Sequence, residues 1–240
     1  MWMAVFWRIS ENSLKAVIAM NAVIEKIKNI GIIPVVTVKS VDQGIKIMKA
    51  LEQGGLLAAE VTFRTEAAAQ AIYAMKEVCP HALIGAGTIL NVEQAKQARK
   101  AGTSFLVSPG CTKEVMEYCV ENDITFIPGC MTPSDIQLAL SYNLETVKFF
   151  PAEAAGGLKL LKAISQPYPN VQFMHTGGIT LTNVGEYLSY GKVICCGGSW
   201  ITKGAEEENY DAISQEAKKA MTLVAKQRSN TCMSGVQNIF

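Results

Sequence analysis

One lysine stands where a charge is unfavourable. Lys148 lies inside the apolar run TVKFFP, between Val147 and Phe149. Lysine is almost never fully buried without a partner, and burial favours the uncharged amine over the ammonium. The chemistry open to such an amine is nucleophilic. The first acid after it along the chain is Glu153, while Glu60 is an acid in another apolar run, LLAAEVTF. Two glycine pairs also stand out, Gly177-Gly178 and Gly197-Gly198, the latter followed by Ser199. Such pairs leave backbone N–H groups free to hold an anion, although glycine also simply makes tight turns.

The remaining reactive side chains point elsewhere. Seven cysteines lack any CxxC spacing, and Cys195 and Cys196 are neighbours in a strand-like run. Adjacent strand residues face opposite ways, so those two thiols cannot chelate one ion together. With only His81 and His175 as imidazoles, no metal and no cofactor is expected. The thiols are read as reduced, structural and cytoplasmic. His81 follows Pro80 in a helix–strand loop and is expected on the surface, Cys130 and Met131 are assigned to local packing, and the direction of His175 stays open.

The elements that must position these residues alternate in type. Short β-branched runs are followed by segments of helical period from about Ile32 onward. Strands are predicted over Ile32 to Val38, Leu56 to Phe63, Ala82 to Ile89, Phe105 to Pro109, Thr125 to Gly129, Thr146 to Pro151, Val171 to Thr176 and Val193 to Gly198. Ser40, Asn91, Thr112 and Thr132 are expected helix N-caps, the last with Pro133 at the first helical position. The final helix is predicted from about Tyr210 to Lys226. Eight strand–helix units favour a closed (β/α)₈ barrel, a TIM barrel, over an open sheet. Residues Glu11 to Asn29 predict one additional amphipathic helix, placed at the barrel's bottom.

No linker divides the chain, so residues 20–226 are expected to form one domain. The leader MWMAVFWRIS lacks the basic start and apolar length of a signal sequence, and residues 1–19 read as an appended extension because Met20 opens a more ordinary beginning, MNAVIEKIKNIGIIPVV. Residues 227–240 are polar without periodicity and are expected to be disordered. A net charge of +1 without a basic block gives no nucleic-acid footprint. No apolar run is long enough to span a bilayer.

Barrel function gathers at the C-terminal ends of the strands. Alternation places Lys148 on the interior face, and Glu60 shares the interior face with Ala58 and Thr62. An interior ion pair that merely fills a barrel layer is the plain alternative. The two glycine pairs follow strands seven and eight, the recurrent phosphate position of such barrels.

The segments IIPVV, EVTFRTE, IGAGT, VSPG, IPG, VKFFPAE, TGGI and GGSW occur in that order over about residues 30 to 203. As a set they resemble the class I aldolases for 2-keto-3-deoxy-6-phosphogluconate (KDPG) and 4-hydroxy-2-oxoglutarate (KHG). That resemblance implies a metal-free homotrimer that acts on small 2-keto acids. It implies Lys148 as the Schiff-base lysine, Glu60 as the acid–base group and Arg64 as the grip on the substrate carboxylate. It also implies Thr88 beside the pyruvyl part and Thr176 as a substrate-binding residue, with Pro109, Pro128 and Phe150 lining the pocket. Gly177, Gly178, Gly197, Gly198 and Ser199 would receive the phosphate. Two other readings remain: a phosphosugar isomerase or decarboxylase on the same scaffold, and a non-catalytic sensor of a phosphorylated ligand.

Overall fold

A computed structural model describes the backbone of residues 11–236 and the side chains of residues 18–228. Eight parallel strands, β1 (Ile32–Val36), β2 (Ala58–Thr62), β3 (Leu83–Gly87), β4 (Phe105–Val107), β5 (Phe126–Ile127), β6 (Thr146–Phe149), β7 (Gln172–Thr176) and β8 (Val193–Gly198), run in the order β5-β4-β3-β2-β1-β8-β7-β6. The ends of that order meet. Lys148 N–H donates to Pro128 O at 2.8 Å, and Cys130 N–H donates to Lys148 O at 2.7 Å. Gly129 and Lys148 thereby form a parallel bridge that closes the barrel between β5 and β6. The expected (β/α)₈ architecture is the one found.

The outer layer comprises α2 (Val41–Gln53), α3 (Ala68–Val78), α4 (Val92–Lys100), α5 (Lys113–Glu121), α6 (Pro133–Ser141), α7 (Ala152–Ala155), α8 (Gly157–Ser165), α9 (Val184–Leu188) and α10 (Tyr210–Val236). They follow α1 (Glu11–Ile30), the additional helix. Local chemistry fixes several starts. Ser40 accepts from Gln43 N–H, and Asn91 accepts from Gln94 N–H. Thr132 and Asp135 form a reciprocal capping box behind Pro133, which satisfies N–H groups that the first helical turn leaves over. Thr112 precedes α5 in an extended conformation but makes no capping bond.

Several boundaries differ from expectation, each for a visible reason. Gly156, at φ +124°, separates α7 from α8 where one helix was expected. A 3-10 helix at Trp200–Glu207 fills the stretch between β8 and α10, to which no element was assigned. The last helix does not stop at Lys226: α10 continues to Val236, so residues 227–236 of the expected disordered tail are helical. Arg228 donates to the carbonyl of Lys28 at the end of α1, and Val224 is buried, which ties this part of α10 to the barrel. Helix α1 runs without interruption across Met20, so its backbone marks no boundary there. Residues 1–10 and 237–240, parts of the expected extension and tail, lie outside the described residues.

Alternation along the strands sorts the side chains as predicted. Lys148 points inward, while Val147 and Phe149 are fully buried against the helices. His175 pairs in register with Phe149 and faces the same way. Its ring stacks between Phe149, centroids 5.3 Å apart, and Tyr187, at 4.0 Å. Neither imidazole nitrogen has a hydrogen-bond partner among the described residues. His175 is therefore a packing residue of the barrel–helix layer, and His81 is exposed in the turn before β3.

Desolvation lowers the pKa of His175 to about 4. Its folded pKa is depressed, so its neutral burial contributes fully above the unfolded value of about 6.5. That contribution is lost as pH falls from there towards 4, because the unfolded chain binds the proton first. Urea midpoints at pH 7 and pH 5 test this. The wild type should lose about 2 kcal/mol more than His175→Leu over that interval. Equal losses in both proteins would assign the acid sensitivity to other groups.

Candidate active site

The C-terminal mouth of the barrel holds a cavity of about 150 Å³. From β2 come Glu60 and Thr62, with Arg64 just beyond; Thr88 and Pro109 follow β3 and β4; Lys148 and Phe150 come from β6. Thr176, Gly177, Gly178, Gly197, Gly198 and Ser199 complete the wall from β7 and β8. A larger hollow of about 350 Å³, lined by residues including Lys28, Gly31, Val193 and Arg228, lies at the opposite end and has no carboxylate on its wall.

The centre of the mouth is an ion pair. Lys148 Nζ stands 3.1 Å from Glu60 Oε1, with side-chain exposures of 8% and 1%. Strands β2 and β6 are four places apart in a ring of eight, so the two side chains meet across the barrel axis. Glu153, closer in sequence, packs instead against Gly178. The second carboxylate oxygen, Glu60 Oε2, has no hydrogen-bond partner among the described residues, and neither has Thr176 Oγ1. Both are buried polar atoms with hydrogen-bonding capacity left for a bound molecule. Lys148 Nζ also lies 5.6 Å from the Phe150 ring centroid.

Backbone geometry makes room for this pair. A Cβ at Gly87 would fall 2.1 Å from Glu60 Oε1, so any larger residue would displace the carboxylate. Next to it, Thr88 adopts φ +59°, a left-handed conformation that is strained for a β-branched side chain. Such strain is characteristic of sites where surrounding contacts fix a residue for function. Arg64 is exposed at the rim, where its fork of donors is open to an incoming carboxylate.

The glycine pairs form the other side of the mouth. Gly177 and Gly178 take positive φ values of 104° and 78°, and Asn183 Nδ2–H holds Gly178 O at 3.0 Å. At Gly198 a Cβ would lie 1.7 Å from the Trp200 ring, so the chain passes closely over the indole before the 3-10 helix starts after Ser199. This puts the backbone of both glycine pairs beside a helix start, where N–H groups can hold an anion.

Of the expected pocket residues, Pro128 alone is not on the cavity wall. It is buried beneath the seam, where its carbonyl holds Lys148 N–H. Val35, Thr62 and Ile179 line the cavity without having been singled out. Thr62 was legible by alternation from Glu60, and its hydroxyl pairs with Thr37 Oγ1 at 2.8 Å. Among the described residues no cluster of His, Cys, Asp and Glu could hold a metal ion.

A closed (β/α)₈ barrel with a buried lysine–carboxylate pair at its C-terminal mouth defines a barrel enzyme whose chemistry centres on an amine. The family model for KDPG and KHG aldolase matches residues 23–216, and the chain belongs to that family. It is 43% identical over 182 residues to the 2-dehydro-3-deoxy-phosphogluconate aldolase of Treponema pallidum (strain Nichols), covering 76% of this chain and 87% of the relative. It is 42% identical over 192 residues to the KHG/KDPG aldolase of Escherichia coli (strain K12), covering 79% and 90%. The crystal structure of the KDPG aldolase of Legionella pneumophila, with pyruvate captured at low pH as a covalent carbinolamine intermediate, superposes with a TM-score of 0.79 at 36% identity. That match covers 84% of this chain and 97% of the other.

The buried pair makes a separable stability prediction. Glu60→Leu strands the Lys148 amine without a partner, and unfolding free energy from urea titration should fall by about 3 kcal/mol. Adding Lys148→Met removes the stranded group and should restore most of that loss. A double variant no more stable than Glu60→Leu would mean that the pair is not coupled as its geometry implies.

Proposed function

We propose that this chain is a class I aldolase, a carbon–carbon lyase that cleaves KDPG to pyruvate and glyceraldehyde 3-phosphate through an imine on Lys148. The observation that carries the reading is the Lys148–Glu60 pair, buried beneath a mouth with Arg64 on one side and bare glycine amides on the other. Aldol cleavage leaves electrons on carbon, and an iminium at C2 supplies the sink for them. Lys148 Nζ adds to the C2 carbonyl once its proton has left. Glu60, at 3.1 Å, is within reach to take that proton and return it as the carbinolamine loses water.

With the iminium in place, Glu60 accepts the C4 hydroxyl proton through a water, and the C3–C4 bond breaks towards the imine nitrogen. Reprotonation of the enamine and hydrolysis release pyruvate. Arg64 would hold the substrate carboxylate as a bidentate pair, with Thr88 and Thr176 against the pyruvyl part and Pro109 and Phe150 on the pocket wall. Gly177, Gly178, Gly197, Gly198 and Ser199 would hold the phosphate. The same amine would cleave KHG to pyruvate and glyoxylate. A phosphosugar isomerase or decarboxylase on the same scaffold would not need Lys148 as a nucleophile, nor would a sensor.

This activity would place the chain in the Entner–Doudoroff route of carbohydrate metabolism. A cytoplasmic location accords with its six described cysteines being free thiols. No helix among the described residues is long and apolar enough to cross a membrane. A homotrimer follows from the family resemblance, and sedimentation equilibrium should give three times the chain mass; a monomer overturns it.

Incubation with pyruvate and borohydride should inactivate the protein and add one reduced pyruvyl group to Lys148, located by peptide mass. Lys148→Ala should form no adduct. An intact, active protein after that treatment would overturn the imine. Gly198→Ala, which drives a methyl group into Trp200, should raise KM for KDPG about tenfold or more, as expected from loss of one charge-assisted hydrogen bond. KM for the unphosphorylated KHG should change little; equal effects on both substrates would remove the phosphate from these loops.

A further inference from the structure

Two cysteines that are distant in sequence meet at the seam of the barrel. Cys111 follows β4 and Cys130 follows β5, and their sulfurs are 3.2 Å apart. Cys111 is half-buried, its thiol also 3.0 Å from Gly129 O and 3.6 Å from Asp135 O. Cys130 is buried and lies 3.8 Å from Pro128 O. A disulfide requires sulfurs at about 2.0 Å, so each chain segment has to move by less than the length of a covalent bond.

The backbone connection gives this proximity a consequence. Cys130 N–H donates to Lys148 O, and Pro128 O, two residues earlier, accepts from Lys148 N–H. Both backbone groups of the lysine are therefore held by the segment that bears Cys130. The same segment is held from the Cys111 side, where Ser108 Oγ–H donates to Gly110 O at 2.5 Å and Gly129 N–H donates to Gly110 O. A displacement of about 1 Å at a reacting group can cost a hundredfold in rate.

We propose that Cys111 and Cys130 are a redox modification site, in which a hydroperoxide converts the two thiols to a disulfide that displaces the β5–β6 seam and slows imine formation on Lys148. The Cys111 thiolate attacks one peroxide oxygen, breaking the O–O bond and giving a sulfenic acid and hydroxide. Cys130 sulfur then attacks the sulfenic sulfur. The S–O bond breaks, its oxygen leaves as water with the Cys130 proton, and the S–S bond forms. Two electrons pass from the sulfurs to the peroxide, and a reducing dithiol reverses the change. The order of attack follows from accessibility: Cys111 is half-buried and within reach of a peroxide, whereas Cys130 is buried behind it. Cytoplasmic disulfides are typically transient devices of this kind.

The test uses the full-length protein and hydrogen peroxide. After oxidation, alkylation and digestion, the peptides bearing Cys111 and Cys130 should be joined, two hydrogens lighter than their sum. Trapping of pyruvate on Lys148 with cyanoborohydride, which spares disulfides, should fall at least fivefold and recover after dithiothreitol. Cys111→Ser should trap pyruvate at the wild-type rate before and after peroxide, while Cys119→Ser should stay sensitive. Recovery of both cysteines as separately alkylated thiols, or a link between chains, overturns the site. An intrachain disulfide with an unchanged trapping rate overturns its coupling to Lys148. The coupling rests on the imine reading: if the reduced protein traps no pyruvate, that reading fails and the coupling with it, while the linked-peptide mass still decides the disulfide.

Discussion

Closure of the barrel depends on meeting two demands at one residue. Lys148 supplies the bridge that joins β5 to β6, through its backbone, and the cation that meets Glu60, through its side chain. The pair spans the barrel axis because β2 and β6 are opposite strands of the ring. An ion pair this deep is not an efficient source of stability, since desolvating both charges offsets most of their attraction. Apolar residues of similar volume would fill the same layer at least as well. Its persistence here is understood more readily as chemistry than as packing, and Glu60 Oε2, buried with its capacity unspent, supports that view.

The residues around the pair accept local disadvantages that have the same purpose. Gly87 gives up a side chain in a central strand so that the carboxylate fits, although glycine weakens a strand interior. Thr88 stands in left-handed backbone space, a conformation costing of order 1–3 kcal/mol. Pro128 leaves the pocket wall to the residues around it and fixes the lysine from below. Strain is thus concentrated at the mouth, while the barrel–helix layer behind it, with Val147, Phe149 and Phe173 fully buried, is conventional apolar packing. Rigidity behind the site is what makes a strained arrangement in front of it sustainable.

Much of this was legible because the relevant signals are local. Strand and helix order follows from residue type and period, and alternation alone put Lys148 and Glu60 on the interior face. What escaped depended on tertiary closure. Val35 looks like an ordinary strand residue until the ring fixes which end of each strand opens to the cavity. Nothing in the spacing of Cys111 and Cys130 brings their sulfurs together; the adjacency of β4 and β5 does. The helix past Lys226 was missed because its sequence has no apolar period, and its hold on α1 runs through Arg228. His175 was ambiguous for a different reason: a single histidine near a strand exit has no signature of its own, and its stacking partners come from a strand and a helix elsewhere in the chain.

The mouth also divides its labour around the ring. Strands β2, β3 and β6 present side chains whose charge, hydrogen bonding and nucleophilicity can be tuned one residue at a time. Strands β7 and β8 present mainly backbone, which carries no sequence-specific chemistry and is well suited to an anion whose only requirements are charge and shape. Under the aldolase reading these two arcs correspond to two ends of one molecule: the keto acid that reacts, and the phosphate that only orients. Binding energy collected on the phosphate arc can then be used to position C2 over Lys148. A substrate lacking the phosphate would still find the reacting arc intact. Under that reading, breadth of substrate would follow from keeping recognition by amides apart from catalysis by side chains.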